Sequence, residues 1–421
     1  MKSVERPRQA VILAGGRGTR LQPLTFDRPK PMIRFHGRPF LEYLIEQLRD
    51  EGFESIVLLL GYLPEVVRQH FGDGSAFGVK IRYTVTDPDA LTATRMKSAL
   101  DAGLLKRRFL LLYCDNYWPL RMEPMWDAYC AAGLPPAMVT VYRNDDGYSR
   151  SNVRVDEDSW VTVFDRSRTA PGLRGVEIGY AIVDRQVLDL LPEQDVLFEE
   201  AVYPRLAERR QLLANVTRHR YYSVGSIERL GRTGEFLARR ATIILDRDGV
   251  LNRKPPRAEY VRNRSEFVWL PGALEALGLL GSAGYRIVVV SNQAGIARGA
   301  MTAADVDAIH ERMLREAAEA GGPIEAVLYC PHHWDDNCEC RKPKPGMLFE
   351  VQRRFHCDLT RTVFAGDDER DGMAAEAAGC PYIAIDTDCP LLEAVRRLPQ
   401  GQTTPEHERE TAASAAGAMT L

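Results

Sequence analysis

Short apolar runs alternate with amphipathic, helix-like segments along most of the chain. Continuous apolar runs of about four to eight residues are typical of buried strands. In the first half such runs lie at residues 9–13, 56–60, 81–84, 109–114 and 138–142, and in the second half at 241–245, 286–290 and 362–365. The alternation predicts an α/β protein, with a mixed sheet in the first half and a parallel sheet in the second.

The run at 241–245 is followed by two carboxylates. Asp246 comes directly after it, Asp248 follows two residues later, and Gly249 allows a tight turn. In open α/β sheets, ligands bind at the C-terminal ends of the strands. Side chains at i and i+2 of a strand end project to the same side. Two carboxylates placed there can act as a nucleophile and a proton donor.

Three later segments add complementary chemistry at or between predicted strand ends. They supply a hydroxyl with two amides, then a basic segment, then further carboxylates. Their residues are Ser291, Asn292 and Gln293; Arg341, Lys342, Pro343, Lys344, Pro345 and Gly346; and Gly366, Asp367 and Asp368. A phosphomonoester is anionic, so a carboxylate approaches it with the help of Mg²⁺, while a hydroxyl and a lysine hold its oxygens. This set predicts phosphoryl transfer from a phosphomonoester.

The motifs DRDGVLN, SNQAGIARG, CPHHWDDNCECRKPKPGM and GDDERD resemble the haloacid dehalogenase superfamily of phosphatases, and within it the D-glycero-D-manno-heptose-1,7-bisphosphate 7-phosphatases. The resemblance implies that Asp246 is the nucleophile that forms an aspartyl-phosphate. It implies that Asp248 is the general acid and base, and that Ser291 and Lys342 bind the transferred phosphate. Mg²⁺ would be held by Asp246, the Asp248 carbonyl and Asp367.

The same resemblance makes Asn292, Arg341 and Lys344 candidate substrate contacts. It favours Lys342 over Lys344 as the lysine nearer the phosphate, although the spacing alone leaves both open. Histidinol phosphate is an alternative substrate, because the phosphatases that act on it resemble this family and also carry a zinc loop. Arg298 and Gly299 after SNQAGIA favour the heptose.

Three cysteines and a histidine lie close together in the chain at Cys330, His332, Cys338 and Cys340. Three thiolates and an imidazole can complete a tetrahedral Zn²⁺ shell with no open position, which predicts a structural metal. His333 could replace His332 as a ligand, but the family spacing favours His332. In a chain that looks cytosolic, this clustering indicates metal binding rather than disulfides. The other cysteines are scattered, and most are expected to be small buried apolar side chains.

The first half carries a glycine-rich loop, AGGRGTRL, directly after its first predicted strand. The glycines let backbone amides approach an anion, and Arg17 and Arg20 add positive charge. Lys30, in RPKPM, can offset charge on a nucleoside triphosphate or a sugar phosphate. Asp115 follows the run at 109–114, where a carboxylate could bind Mg²⁺.

These motifs resemble the sugar-1-phosphate nucleotidyltransferase family over about residues 8–237. The resemblance implies a Rossmann-like domain with a mixed sheet. In it a sugar 1-phosphate oxygen attacks the α-phosphate of an NTP and releases pyrophosphate, with Asp115 holding Mg²⁺. The implied nucleotide-binding residues are Leu13, Gly15, Gly16, Gly18, Arg20 and Lys30.

Four places depart from the family pattern. An LGTAGA-like loop is replaced by residues 91–96, LTATRM, and a Glu-Lys-Pro segment by residues 165–167, DRS. An Asn-Ala-Gly segment is replaced by residues 177–179, EIG, and a second metal-binding aspartate by Ser223. A hydroxyl is a poorer Mg²⁺ ligand than a carboxylate. The domain is therefore expected to be either an active transferase or a non-catalytic module that binds nucleotide sugars.

Length and charge complete the expectations. The 421 residues are divided into a nucleotidyltransferase-like domain at 1–237, a phosphatase domain at 238–399 and a disordered tail at 400–421. The net charge is −3, and no basic stripe or long apolar run favours nucleic acid or membrane partners. The N-terminus lacks the apolar core of a signal peptide, so a cytoplasmic protein is expected. The partners are expected to be sugar phosphates and an NTP, and a homo-oligomer is possible.

Together these features predict a bifunctional enzyme of heptose activation. The second domain would remove the 7-phosphate of a heptose 1,7-bisphosphate, and the first would join the heptose 1-phosphate to a nucleotide, with GMP expected. The alternative is a phosphatase alone, carrying a non-catalytic first domain.

Overall fold

The computed structural model of the chain describes residues 5–256 and 259–398, which divide into two compact units between Ala238 and Arg239. The tail predicted at 400–421 lies outside the described residues. Both units are α/β structures, and the predicted division into a mixed and a parallel sheet is confirmed.

A seven-stranded mixed sheet forms the centre of the first unit. The strands of this unit are β1 (Gln9–Ala14), β2 (Arg34–Phe35), β3 (Arg38–Pro39), β4 (Ser55–Leu60), β5 (Lys80–Val85), β6 (Arg108–Tyr113), β7 (Asn116–Tyr117), β8 (Ala137–Tyr142), β9 (Val153–Val155), β10 (Val161–Phe164), β11 (Val176–Asp184), β12 (Leu212–Thr217) and β13 (Tyr222–Ser223). Its helices are α1 (Phe40–Asp50), α2 (Pro64–Phe71), α3 (Thr92–Asp101), α4 (Met122–Ala131), α5 (Phe198–Glu208) and α6 (Ile227–Leu237). The order across the large sheet is β12-β8-β11-β6-β1-β4-β5, in which only β11 runs antiparallel to its neighbours.

Helices cover both faces of this sheet. Ile12 of β1 belongs to a core that includes α1, α2, α4 and α6, whereas Val11 and Leu13 belong to a second core that includes α3 and α5. Successive side chains of a strand point to opposite faces, so a strand covered on both sides must be apolar throughout. The strand order reverses at β1, since β4 lies on one side of it and β6 on the other. The glycine loop after β1 and Asp115 after β6 therefore lie at one edge of the sheet.

A five-stranded parallel sheet forms the centre of the second unit. Its strands are β14 (Thr242–Leu245), β15 (Arg286–Asn292), β16 (Ile324–Cys330), β17 (Val363–Gly366) and β18 (Tyr382–Ala384). Its helices are α7 (Ala273–Ser282), α8 (Ala303–Glu319), α9 (Gly346–Phe355), α10 (Glu369–Ala378) and α11 (Leu391–Arg396). The order is β16-β15-β14-β17-β18, with α7, α8 and α11 packed in one core and α9 and α10 in the other.

The central strand β14 is the switch point of the second sheet. Chain order runs outward from it through β15 and β16 on one side and through β17 and β18 on the other. The loops that leave neighbouring strands in opposite directions open a crevice at their C-terminal ends. The residues at or directly after the C-terminal ends of β14, β15 and β17 meet at this crevice.

Within residues 5–256 and 259–398, no helix combines the length and the apolar character needed to cross a membrane.

Candidate active sites and a candidate metal centre

A buried lysine lies between two aspartates at the C-terminal edge of the second sheet. Lys342 Nζ lies 2.8 Å from Asp246 Oδ1 and 2.6 Å from Asp371 Oδ1, and its side chain is 3% exposed. Burial raises the pKa of Asp246, and Lys342 acts in the opposite direction. Burial alone would lower the pKa of Lys342, but the two carboxylates raise it, so the lysine stays charged. A fixed ammonium beside a carboxylate nucleophile can hold an anionic substrate.

The second carboxylate of the strand end, Asp248, is held from three directions. Arg247 Nη2 donates to it at 2.9 Å, Asn252 Nδ2 at 3.0 Å and Gln293 Nε2 at 3.0 Å. Burial opposes ionisation, but these donors lower the pKa of Asp248 below its usual range. The three contacts leave this carboxylate little freedom to rotate.

Arg247 is itself fully buried, behind Asp248. Its Nη1 donates to Nε2 of His310 at 3.1 Å. Burial, together with the charge of Arg247, lowers the pKa of His310 to about 3, so the imidazole is neutral and accepts this bond. No sequence motif marks His310, because its position on α8 brings it to Arg247 only through the fold.

The end of β15 contacts both residues that are predicted to bind phosphate, Ser291 and Lys342. Ser291 is buried, and Gln293 Nε2 donates to its Oγ at 2.7 Å. The Asn292 side chain accepts from the Lys342 amide and donates to the Lys342 carbonyl, both at 3.1 Å. The segment that carries Lys342 is thereby aligned with β15. Asn292 has this positioning role in addition to its predicted contact with substrate.

Three carboxylates next to this lysine could hold a metal ion. Asp246, Asp367 and Asp371 each offer an oxygen, and these oxygens lie within 4.8 Å of one another. In the part of the chain that the structure describes, Asp367 Oδ1 is buried and has no hydrogen-bond partner. Gly249, at φ 96°, has no space for a Cβ, which would collide with the Asp367 carboxylate. Oxygen ligands around an unsatisfied carboxylate suit Mg²⁺.

Asp371 was missing from the predicted set. It lies in the first turn of α10, where its carboxylate caps the Asp368 amide at 3.3 Å and also reaches Lys342. The signal was present in GDDERD, where Asp371 follows Asp367 by four residues at a strand-to-helix turn.

These groups open into a cavity of about 700 Å³. Its described lining has more carboxylates than cations: Asp246, Asp248, Glu259, Asp367, Asp368 and Asp371 against Lys254, Arg341, Lys342 and Arg370. An anionic substrate therefore requires an added cation, which supports the metal site. Arg341 and Asn292 line the cavity, whereas Lys344 does not and instead contacts Asn337 Oδ1 at 2.7 Å.

The cysteine-histidine segment forms one compact group. The Cys330 thiol lies 3.6 Å from His332 Nδ1 and 3.6 Å from the Cys338 thiol, and Cys340 closes the set at 3.3 Å from His332 and 3.5 Å from Cys338. A tetrahedron with Zn–S of about 2.3 Å has edges of about 3.8 Å, so these separations suit a single Zn²⁺. They are too long for disulfides. His333 turns away and contacts Asp335 at 3.2 Å.

The first unit has its own cavity, of about 670 Å³, at the edge where β1 and β6 end. All seven residues predicted there line it: Leu13, Gly15, Gly16, Gly18, Arg20, Lys30 and Asp115. Lys30 Nζ lies 2.5 Å from Asp115 Oδ2. Burial opposes ionisation of Asp115, but Lys30 lowers the pKa of its carboxyl. A cation is thus already present at the predicted metal ligand.

The structure explains the departure at residues 91–96, which contains Arg95. Arg95 is 3% exposed and reaches below the glycine loop, donating to the carbonyls of Gly15 at 3.2 Å and Leu60 at 2.9 Å. It also donates to Thr86 Oγ1 at 2.6 Å. Arg95 therefore supports the loop from beneath, and its guanidinium would collide with a Cβ on Gly15.

Two further departures, Glu177 and Ser223, lie in or near this cavity, and only Glu177 lines it. Glu177 lines it, accepts from the Gly179 amide at 2.6 Å, and has its pKa raised to about 8 by burial. Ser223 lies on β13 opposite Asn116, next to Asp115, and its Oγ accepts from the Gly225 amide at 3.0 Å. This unit therefore presents Asp115 without a carboxylate partner at position 223.

Comparisons with known proteins match each unit separately. A family model described as nucleotidyl transferase matches residues 9–147, and one described as polynucleotide kinase 3 phosphatase matches residues 242–378. The D-glycero-beta-D-manno-heptose-1,7-bisphosphate 7-phosphatase of Pseudomonas aeruginosa is 39% identical over 162 residues, which are 38% of this chain and 90% of that protein.

Two solved structures are also similar. The D,D-heptose 1,7-bisphosphate phosphatase from B. bronchiseptica, complexed with magnesium and phosphate, is 37% identical with a TM-score of 0.34, covering 42% of this chain and 98% of that one. HddC from Yersinia pseudotuberculosis, complexed with GMP-PN, is 23% identical with a TM-score of 0.47, covering 54% of this chain and 99% of that one.

The paired lysine gives a first prediction. Asp371→Asn removes one of the two charges that stabilise buried Lys342, so the free energy of unfolding should fall by about 1–3 kcal/mol. Chemical denaturation measures this change. Asp388→Asn, at an exposed aspartate outside the cavity, is the control and should change stability by less than about 0.5 kcal/mol. Equal stability of the two variants would show that Lys342 does not depend on Asp371.

The thiol group gives a second prediction. Cys338→Ser should lower the zinc content of the purified protein, from about one ion per chain, because a hydroxyl is a poor substitute for a thiolate ligand. Metal analysis measures the content, and Cys130→Ser, at an exposed cysteine of the first unit, should leave it unchanged. Wild-type protein without zinc would contradict the metal centre.

Proposed function

Because the chain belongs to the D-glycero-D-manno-heptose-1,7-bisphosphate 7-phosphatase family, we propose that its second unit hydrolyses the 7-phosphate of such a heptose bisphosphate and that its first unit transfers a nucleotide to the resulting heptose 1-phosphate. The observation that carries the first step is Lys342 fixed between Asp246 and Asp371 beside a cluster of metal-binding carboxylates. The relatives act on heptose bisphosphates, which favours the heptose over histidinol phosphate.

The first half-reaction begins with Asp246. Its carboxylate oxygen attacks the phosphorus, forms an aspartyl-phosphate and breaks the bond to the sugar oxygen, while Asp248 donates a proton to that oxygen. The phosphate dianion places negative charge beside Asp248, which favours the protonated form that this donation needs. Lys342 and Ser291 hold the phosphate oxygens.

The second half-reaction returns the enzyme to its starting state. Asp248 takes a proton from water, the water oxygen attacks the phosphorus, and the bond to Asp246 breaks to release inorganic phosphate. Mg²⁺ held by Asp246, Asp367 and the Asp248 carbonyl would supply positive charge to the phosphate. Zn²⁺ at the cysteine-histidine group would instead hold the segment that carries Arg341 and Lys342.

The first unit has the groups to bind a nucleoside triphosphate. The amides of the glycine loop, with Arg20 and Lys30, can offset its charge. GTP is the donor expected from the sequence. The substrate of this step is the product of the other unit, so one chain would carry out consecutive reactions.

A second candidate for the first unit is a nucleotide-sugar-binding module without catalysis. Ser223 favours it, because a hydroxyl lies near Asp115 where the family pattern has a second metal-binding carboxylate. Incubating the intact protein with heptose 1,7-bisphosphate and each of GTP, ATP, UTP, CTP and dTTP separates the two candidates. Phosphate release reports the second unit and pyrophosphate release reports the first. Binding of nucleotide without pyrophosphate would favour the module.

The phosphatase proposal predicts that Asp246→Asn abolishes phosphate release, since an amide cannot form the acyl-phosphate. Circular dichroism should show an unchanged fold. The same variant should release pyrophosphate normally from supplied heptose 1-phosphate and NTP. Near-normal phosphate release by Asp246→Asn would contradict the assigned nucleophile, and Asp388→Asn is the control for a neutralised carboxylate.

The transferase proposal predicts opposite effects at two positions. Lys30→Ala should abolish pyrophosphate release, whereas Lys80→Ala, at an exposed lysine on β5, should not affect it. Ser223→Asp should raise the rate by about tenfold or more, because one carboxylate oxygen can accept the Gly225 amide while the other adds a metal ligand beside Asp115. A rate unchanged in Ser223→Asp would show that the missing ligand is not the limitation.

A further inference from the structure

An exposed tryptophan lies at the cavity of the second unit. Trp334 is 52% exposed and lines the same cavity as Asp246 and Lys342. Single exposed apolar side chains are common on protein surfaces, but this one is large, aromatic and part of a site otherwise dominated by charge. None of the phosphate-transfer steps described above uses it.

The Trp334 ring is contacted by a cation and by a second ring. The guanidinium carbon of Arg298 lies 5.0 Å from its ring centroid, and the His333 ring lies 3.9 Å from it. Arg298 also lies 5.9 Å from the Tyr260 ring and donates to the Tyr260 hydroxyl at 3.1 Å. Cation–π contacts of this kind restrict both partners. Arg298 thus connects two aromatic residues that both line the cavity.

The cavity is larger than the hydrolysed phosphate requires. Asp246, Ser291 and Lys342 account for that phosphate, yet the cavity measures about 700 Å³ and extends to Tyr260 and Trp334. A sugar has an apolar face of C–H groups and a polar edge of hydroxyls. Ligand sites match such molecules by combining an aromatic surface with a few polar groups.

We propose that Trp334, oriented by Arg298, is the platform on which the carbohydrate part of the substrate packs while its phosphate is held at Asp246. Trp334 is then a specificity-determining residue, and Arg298 is a positioning residue that acts through it. The platform lies in the chain between His332 and Cys338, so a metal bound by the cysteine-histidine group would hold the platform as well as Lys342. This inference rests on the proposed sugar phosphatase function.

The test compares a sugar substrate with a small phosphomonoester. In Trp334→Ala, the KM for heptose 1,7-bisphosphate should rise about tenfold with kcat changed less than about twofold, the effect of losing one aromatic contact. The kcat/KM for glycerol 2-phosphate, which has no sugar ring, should stay unchanged. Trp334→Phe should keep most of the preference for heptose 1,7-bisphosphate over glycerol 2-phosphate. Leu279→Ala, at a similarly exposed apolar residue outside the cavity, should leave the kinetic constants for both substrates unchanged.

A binding measurement supplements the kinetics. In the Asp246→Asn background, heptose 1,7-bisphosphate should change the tryptophan fluorescence, inorganic phosphate should not, and adding Trp334→Phe should remove the change. Arg298→Met should raise the KM for heptose 1,7-bisphosphate, as Trp334→Ala does, and should leave the zinc content unchanged.

The outcomes separate the two proposals. Equal losses on both substrates in Trp334→Ala, or no loss on either, would overturn the platform while leaving the phosphatase proposal in place. Wild-type protein that hydrolyses glycerol 2-phosphate but not heptose 1,7-bisphosphate would overturn the proposed function, and the platform with it.

Discussion

The ammonium of Lys342 is buried between Asp246 and Asp371, and the catalytic edge of the second unit depends on this arrangement. Burying a charge destabilises a protein unless the charge is paired. Removing one partner of a buried pair leaves the other charge uncompensated, and the resulting loss of stability exceeds the net stabilisation that the intact pair provides. The two carboxylates therefore hold the lysine where a phosphate can use it. In turn the lysine offsets part of the negative charge that the neighbouring aspartates would otherwise place on an incoming phosphate.

Much of the surrounding structure serves to bring that lysine to that edge. Lys342 reaches the sheet on a segment between β16 and α9 rather than on a strand, so its position depends on other contacts. The Asn292 side chain pairs with its backbone on one side, and the cysteine-histidine group ends two residues before it at Cys340. A metal bound there would stabilise this segment, because loops without such ties are the least stable parts of a fold.

The first unit also pairs a lysine with a carboxylate at the edge of its sheet. Lys30 pairs with Asp115 at a sheet edge, and Arg95 supports the glycine loop through backbone carbonyls. The glycine-loop side of this cavity, where we propose that a triphosphate binds, is thus preorganised. Other predicted site positions depart from the family pattern, since Glu177 is a buried carboxyl with a raised pKa and Ser223 stands where a carboxylate is expected. Two units with related α/β architecture therefore differ in how complete their catalytic sets are.

The sequence was sufficient for the α/β class, the strands and the motif residues that lie directly after them. Asp246, Ser291 and Asp367 could be placed at one edge because strand ends in a parallel sheet are determined by local apolar runs and their breaks. The clustering of Cys330, His332, Cys338 and Cys340 was likewise predictable, because these residues are close in the chain. The tertiary structure alone decided contacts between distant segments: Asp371 with Lys342, His310 with Arg247, Arg95 with Gly15, and Trp334 with Arg298. Periodicity and spacing describe neighbours in sequence, whereas these pairs depend on the packing of helices and loops around the sheets.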